Sequence, residues 1–354
     1  MAALDPGFWR GKRVLLTGHT GFKGSWAAIW LHELGADVTG LALAPDQTPS
    51  LFELAGVERL IDSRIVDLRE PAAIEKALKA SHIDLVLHMA AQPIVRAAIA
   101  DPVSTFASNV MGSVHLLQAL RAQKRLKAVL AITSDKVYAN AETGRAFTEG
   151  DPLGGKDPYS ASKAATEIAV QSFAKSYFAP LGVPLATARG GNVIGGGDFS
   201  ADRVVSDIVR AARTQQQVIL RHPEATRPWQ HVLDCVAGYL VYLQALASDP
   251  AATPRAMNFG PRPGGREVTV GELATLGLEA LGAQPWRHEP DPRSLEAQSL
   301  AIDASLAGRA LGFESRFDAP AAVALTMDWY RRQANGEAAL DLCRGQIAAY
   351  EGAA

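Results

Sequence analysis

The sequence predicts an α/β fold: a doubly wound parallel sheet followed by a smaller, mixed α/β region. Three observations point there. Through the first half of the chain, short β-branched runs alternate with longer amphipathic segments, the rhythm of a parallel sheet covered by helices. The runs VLLT, LVLHM and VLAIT are continuously apolar, as strands buried on both faces must be. After about Gly190, glycine, aspartate and proline become denser, as in GGNVIGGGDF and PRPGGRE, and the alternation stops. A length of 354 residues suits about two domains. The expected division is 1–190 and 191–354, with a crossing back to the sheet near 231–240.

The elements follow in order. Arg13 to Thr17 reads as the first strand, ending at Gly18, and Gly24 to Leu34 has helical periodicity. Asp37 to Leu43 is a second strand and Ile61 to Val66 a third, followed by a helix over Pro71 to Lys79 that opens on proline. Leu85 to Met89 is a fourth strand, Val103 to Gln123 a long helix, and Ala128 to Thr133 a fifth strand. Asp157 to Tyr177 is another helix and Leu185 to Arg189 a sixth strand.

Composition removes several function classes. With 35 Lys+Arg against 37 Asp+Glu the net charge is −2, so no basic excess exists to neutralise a nucleic-acid backbone. Two cysteines, Cys235 and Cys343, exclude a disulfide framework and suit a reducing compartment. No HExxH or CxxC spacing suggests a metal site. Met1 to Lys12 has no apolar core of a signal peptide. The apolar stretch Val236 to Ala247 is interrupted by Gly238 and Gln244 and is too short to span a bilayer. A cytoplasmic protein with no membrane or nucleic-acid partner is expected.

The first strand runs into Gly18-His19-Thr20-Gly21-Phe22-Lys23-Gly24, a G-x-x-G-x-x-G relative of the dinucleotide fingerprint of Rossmann sheets. Gly18 allows the tight turn, Gly21 lets the backbone approach a pyrophosphate, and Gly24 lets helix and strand pack closely. The helix N-terminus then faces the anion. Gly18, Thr20, Gly21, Phe22 and Gly24 are therefore candidate cofactor contacts. The usual acid at the end of the second strand is missing: that position is near Ala42, and the next acid is Asp46. No arginine stands there for a 2′-phosphate either, so NAD is expected over NADP. Asp67 and Leu68 follow the third strand and are candidates for the adenine edge. The small Ala90 and Ala91 after the fourth strand would let a cofactor lie against backbone.

Two polar clusters fall where a doubly wound sheet binds its ligands, beyond the strands' C-terminal ends. Tyr159 and Lys163 are spaced i, i+4 and share a helix face. Lys163 can sit beside both the phenol and a bound nicotinamide ribose, and its charge is expected to lower the Tyr159 pKa so that the phenol serves as a base. The fifth strand ends in Ser134-Asp135-Lys136, a hydroxyl, a carboxylate and an ammonium in succession.

With these residues the chain resembles the extended short-chain dehydrogenase/reductase family along nearly its whole length. The stretches that carry this are LLTGHTGFKGSW, PSLFE, TSDKVYAN, DPLGGKDPYSASKAATE, RGGNVIGGGDFSADRVVSD and RPWQHVL. Within the family it looks like the nucleotide-sugar 4,6-dehydratases. Those acting on dTDP- and GDP-sugars typically have Thr-Asp-Glu where this chain has Ser134-Asp135-Lys136, and the lysine points to the branch that takes CDP-glucose. The resemblance implies that Tyr159, with Ser134 and Lys163, takes a proton from the sugar's 4-hydroxyl during oxidation by NAD. Asp135 and Lys136 would then assist loss of water across carbons 5 and 6, Lys136 as a base or as an enolate stabiliser. It also implies that Asn192, Arg203 and Arg227 hold the nucleotide part, that Glu296-Ala297 fits the family pattern, and that the chain forms a homodimer or homotetramer through the segments Val103 to Gln123 and Asp157 to Tyr177.

Overall fold

The computed structural model describes residues 4–79, 81–290 and 299–352. Seven strands form one parallel sheet: β1 (Arg13–Thr17), β2 (Asp37–Ala42), β3 (Asp62–Ile65), β4 (Leu85–His88), β5 (Ala128–Ile132), β6 (Leu185–Gly190) and β7 (Ala256–Phe259). Their spatial order is β7-β6-β5-β4-β1-β2-β3. The winding reverses between β1 and β4, which opens a crevice at their C-terminal ends.

Alternation within each strand sends side chains to two separate cores. Val14, Leu16, Leu85, Leu87, Leu130 and Ala188 face one, together with α1 (Phe22–Glu33) and residues of the C-terminal half. Leu15, Val86, Val129, Ala131 and Leu185 face the other, with Ile74, Leu116, Leu117 and Val170. Val170 lies on α2 (Pro158–Phe173). Both faces are dry, which is why these strands are apolar without interruption.

The six strands read from the sequence are present with ends shifted by a residue or so. Two features differ. The helix expected over Val103 to Gln123 runs without a break from Pro102 to Leu120, but it contains a π-helical turn at Ala107–Met111. The turn aims Asn109 inward, where its amide joins the Gln92 carbonyl (3.1 Å) to the Ser162 hydroxyl (2.9 Å). The second difference lies beyond residue 190. The segment expected to cross back near 231–240 is the helix α3 (Val232–Ser248), which packs in the same core as α1. The strand that rejoins the sheet is β7, paired with β6 from Ala256↔Thr187 to Phe259↔Gly190. The sheet therefore draws on chain from both sides of residue 190. Short strand pairs such as Val193–Ile194 with Gln230–His231 hold the loops between.

Candidate active site

The glycine turn closes the crevice floor. Gly18 has φ +78°, and a Cβ there would lie 2.8 Å from the Ala90 nitrogen at the end of β4. At Gly24 a Cβ would lie 2.0 Å from the Gly18 carbonyl oxygen. Both positions exclude any side chain. Gly21 differs: its nearest protein atom to a built Cβ is 3.5 Å away, so the space in front of it is open. Gly21 is the N-cap of α1, and no side chain caps that helix. Its first N–H groups are left for an external acceptor, which fits a dinucleotide pyrophosphate. The Thr20 hydroxyl donates to the Leu43 carbonyl (2.9 Å), tying the turn to the end of β2, and Phe22 lies half-buried beside Gly195.

The outer adenine candidates are arranged less simply. The Asp67 carboxylate pairs with Arg69 at 2.6 Å, which holds it below the usual carboxylate range. Leu68 is buried in the core against Gly112. Ala90 and Ala91 are half-buried at the crevice rim.

At the end of β5, Ser134 caps the turn Asp135–Val137 and donates to the Asp135 carboxylate at 2.9 Å. The Tyr159 phenol lies near enough to Ser134 for that hydroxyl to act on its acidity, so these side chains share one space. Asp157 caps α2 by accepting from the Ser160 N–H at 3.0 Å, which starts the helix so that Tyr159 falls in its first turn. Asp135 is 2% exposed, and one of its carboxylate oxygens has no partner. Burial pushes its pKa up, against the pull of Lys136, Ser134, Arg227 and Lys23. A buried carboxyl that favours its protonated form is suited to donate a proton. Lys136 is half-buried.

One expectation about the tyrosine is corrected. Burial pushes the Tyr159 phenol up to about 12, with Ser134 and Arg203 working against it and Asp135 with it. Lys163 donates to the Ile132 carbonyl at 3.2 Å, and burial, helped by the charge of Lys23, brings it down to about 7. The helix face that brings Tyr159 and Lys163 together also removes both from water, so each neutral form is favoured.

Two of the three nucleotide candidates carry their charge to the same groups. The Arg203 charge reaches Tyr159 and the Arg227 charge reaches Asp135. Arg203 lies 3.6 Å from Asp198, and the Asn192 carbonyl accepts from the Gln230 N–H at 3.0 Å. Glu296-Ala297 lies outside the described residues. Sequence reasoning missed Lys23, whose ammonium stands 6.0 Å from the Tyr239 ring centre and acts on Asp135, Lys163 and Cys235. Its only signal was a charge in the first turn after the glycines. Among the described residues no group of His, Cys, Asp or Glu could hold a metal ion, and no helix is long and apolar enough to cross a membrane.

Known proteins resemble the chain in sequence and fold. The NAD dependent epimerase/dehydratase family matches residues 14–260. The chain belongs to that family. It is 41% identical over 355 aligned residues to a CDP-glucose 4,6-dehydratase of Salmonella typhimurium, covering 98% of each chain. A dTDP-glucose 4,6-dehydratase of Xanthomonas campestris is 28% identical, over 89% of this chain and 92% of its own. Among solved structures, the UDP-glucose 4-epimerase of Thermus thermophilus in complex with NAD superposes with a TM-score of 0.79 at 26% identity, covering 90% of this chain and 99% of that one. Family membership makes NAD the cofactor, in agreement with the open, uncapped glycine turn.

Proposed function

We propose that this chain is an NAD-dependent CDP-glucose 4,6-dehydratase, forming CDP-4-keto-6-deoxyglucose and water. The observation that carries this reading is Asp135: a buried carboxyl pushed toward its protonated form, with one oxygen unpartnered, beside the Tyr159–Ser134 pair and next to Lys136. A 4-epimerase needs a single base for the 4-hydroxyl and has no use for this second acid. The near full-length identity to the Salmonella enzyme supports CDP-glucose as the substrate.

Gly18, Thr20, Gly21, Phe22 and Gly24 would hold the pyrophosphate side of NAD, with Ala90 and Ala91 along the crevice and Asp67 and Leu68 toward the adenine. NAD supplies a hydride acceptor that can return what it takes. Tyr159 in its ionised form, helped by Ser134 and Lys163, takes the proton of the sugar 4-hydroxyl, burial making that form the less favoured one in the free protein, and Lys163 orients the nicotinamide ribose. The 4-ketone acidifies the hydrogen on carbon 5. Asp135 gives its proton to the departing 6-hydroxyl, and Lys136 receives the carbon-5 proton or steadies the enolate. Asn192, Arg203 and Arg227 hold the nucleotide, the guanidinium of Arg227 being suited to bidentate contact with phosphate. In this division of labour residues 1–190 carry cofactor and chemistry, and 191–354 bind the nucleotide.

The protein works in the cytoplasm as a homodimer or a pair of dimers. Val103 is 78% and Ile168 60% exposed, and Met111 and Tyr177 are also uncovered. These apolar side chains sit on the two adjoining helical segments, where a second copy would bury them. Both cysteines are free and buried, as a reducing compartment allows.

The test uses CDP-glucose deuterated at carbon 4. The label is expected in the methyl group of the same product molecule, and a panel of CDP-, dTDP-, GDP- and UDP-glucose should favour CDP. Label lost to solvent, or an unmethylated epimer as product, sinks the assignment.

A further inference from the structure

Below the reacting groups lies a buried ion pair that the proposed mechanism does not use. Arg189, at the end of β6, and Glu167, on α2, are 2% and 0% exposed in their side chains. The contact is bidentate: Arg189 Nε donates to Glu167 Oε1 at 3.0 Å and Nη2 to Oε2 at 2.9 Å. Two threonine hydroxyls complete the carboxylate's shell, Thr133 at 2.5 Å and Thr187 at 2.9 Å. The remaining guanidinium nitrogen donates to the Tyr138 hydroxyl (2.9 Å) and the Glu149 carbonyl (3.1 Å). Tyr138 passes the contact on to Asn258 of β7 at 2.6 Å.

The placement of these bonds is specific. Three successive residues at the end of β5 are fastened in turn: the Ile132 carbonyl by Lys163, the Thr133 hydroxyl by Glu167, and the Ser134 hydroxyl by Asp135. On the far side of the Asp135–Val137 turn, Tyr138 is fastened by Arg189. The pair therefore grips the turn before and after its reactive residues. Glu167 also follows Lys163 by four residues on the same helix and is a counter-charge to it. The other groups that act on Lys163 or feel its charge are Lys23 of α1 and His88 of β4, which burial keeps neutral by lowering it to about 3; Tyr159 precedes it by one turn on its own helix.

We propose that Glu167 and Arg189 are positioning residues for the reaction, clamping both ends of the Ser134–Lys136 turn to the helix that carries Tyr159 and Lys163. This rests on the catalytic assignment above. A single substitution strands one buried charge, whereas removing both leaves none. The test therefore compares Glu167→Gln with the double variant Glu167→Gln/Arg189→Met, each checked for fold by circular dichroism and for NAD binding by titration.

Without its counter-charge Lys163 loses its ammonium form at lower pH. In Glu167→Gln the alkaline fall of kcat should move about one pH unit toward acid, and kcat at neutral pH should drop tenfold or more, with KM for CDP-glucose within about twofold. The double variant should show the same loss of kcat and, if Glu167→Gln fails to fold, decides the matter alone. A folded variant with wild-type kcat and pH profile overturns the clamp. Tyr159→Phe, run in parallel, separates the two ideas: inactive Tyr159→Phe beside an unaltered Glu167→Gln refutes the clamp alone, whereas active Tyr159→Phe refutes the assignment of the site and the clamp with it.

Discussion

Alanine at Gly21 and at Gly24 should have opposite consequences, although the two glycines are three residues apart in one motif. A methyl at Gly24 would sit 2.0 Å from the Gly18 oxygen and 2.9 Å from the His19 Cα, about 1.5 Å inside normal contact. The obstructing atoms are backbone, so α1 must move off the turn, at a cost of about 3 kcal/mol. With about 2.1 cal/mol/K of unfolding entropy per residue, 354 residues translate this into a fall of roughly 4 °C in Tm. At Gly21 the backbone is extended, with φ −79° and ψ 168°, which alanine adopts freely, and nothing in the protein is closer than 3.5 Å to the added methyl. There the apo protein should hold its Tm or gain a degree, because alanine restricts the unfolded chain. The methyl instead occupies the approach to the uncapped helix end, so NAD affinity should fall at least tenfold, about 1.4 kcal/mol. Calorimetric titration with NAD, and melting with and without it, measure both effects. A Gly21→Ala protein that binds NAD like the parent would refute the role given to the open turn, and a Gly24→Ala protein with unchanged Tm would refute the packing argument.

Other outcomes follow from the same site. Tyr159→Phe should lower turnover by about 10²- to 10⁴-fold, with no NADH detected on mixing with CDP-glucose. Lys136→Ala should slow water loss while leaving bound NADH and a 4-keto sugar observable; full activity would exclude a role for Lys136. Asp135 has its pKa raised in the fold, so its contribution to stability is present below the ordinary carboxyl range and is lost as pH rises through the raised value. Asp135→Asn should therefore melt higher than the parent at neutral pH, the gain shrinking as pH falls toward 3.8, while dehydration is suppressed. Glutamate at both Val103 and Ile168 should yield monomers in sedimentation, if those exposed side chains form the contact between copies.

Where a property depended on neighbours in sequence, it was legible. The apolar runs VLLT and VLAIT are strands because every position in them is covered, and Asp157-Pro158 marks the start of α2 by capping and a fixed φ. Strand β7 escaped notice because its four residues, AMNF, are too few to show a period, and Asn258 turns its side chain to Tyr138. The π-helical turn at Ala107–Met111 reflects what Asn109 must reach on other elements. Arg189 and Glu167 are individually ordinary letters, 22 residues apart, and only the fold makes them one unit. Lys163 illustrates the limit of spacing rules: its helix face was foreseen, but its reduced charge arises from burial and Lys23.

The attachment of β7 beyond β6 has a practical result. A chain cut after Gly190 would lose the partner that accepts and donates along Leu185–Gly190, including the Arg255 carbonyl bonded by the Thr187 N–H at 3.0 Å. It would expose an apolar strand margin ready to pair with other molecules. Exchange of specificity between relatives by swapping whole C-terminal halves would tear the same seam, so variation among such proteins is better confined to loops that leave Ala256–Phe259 in place.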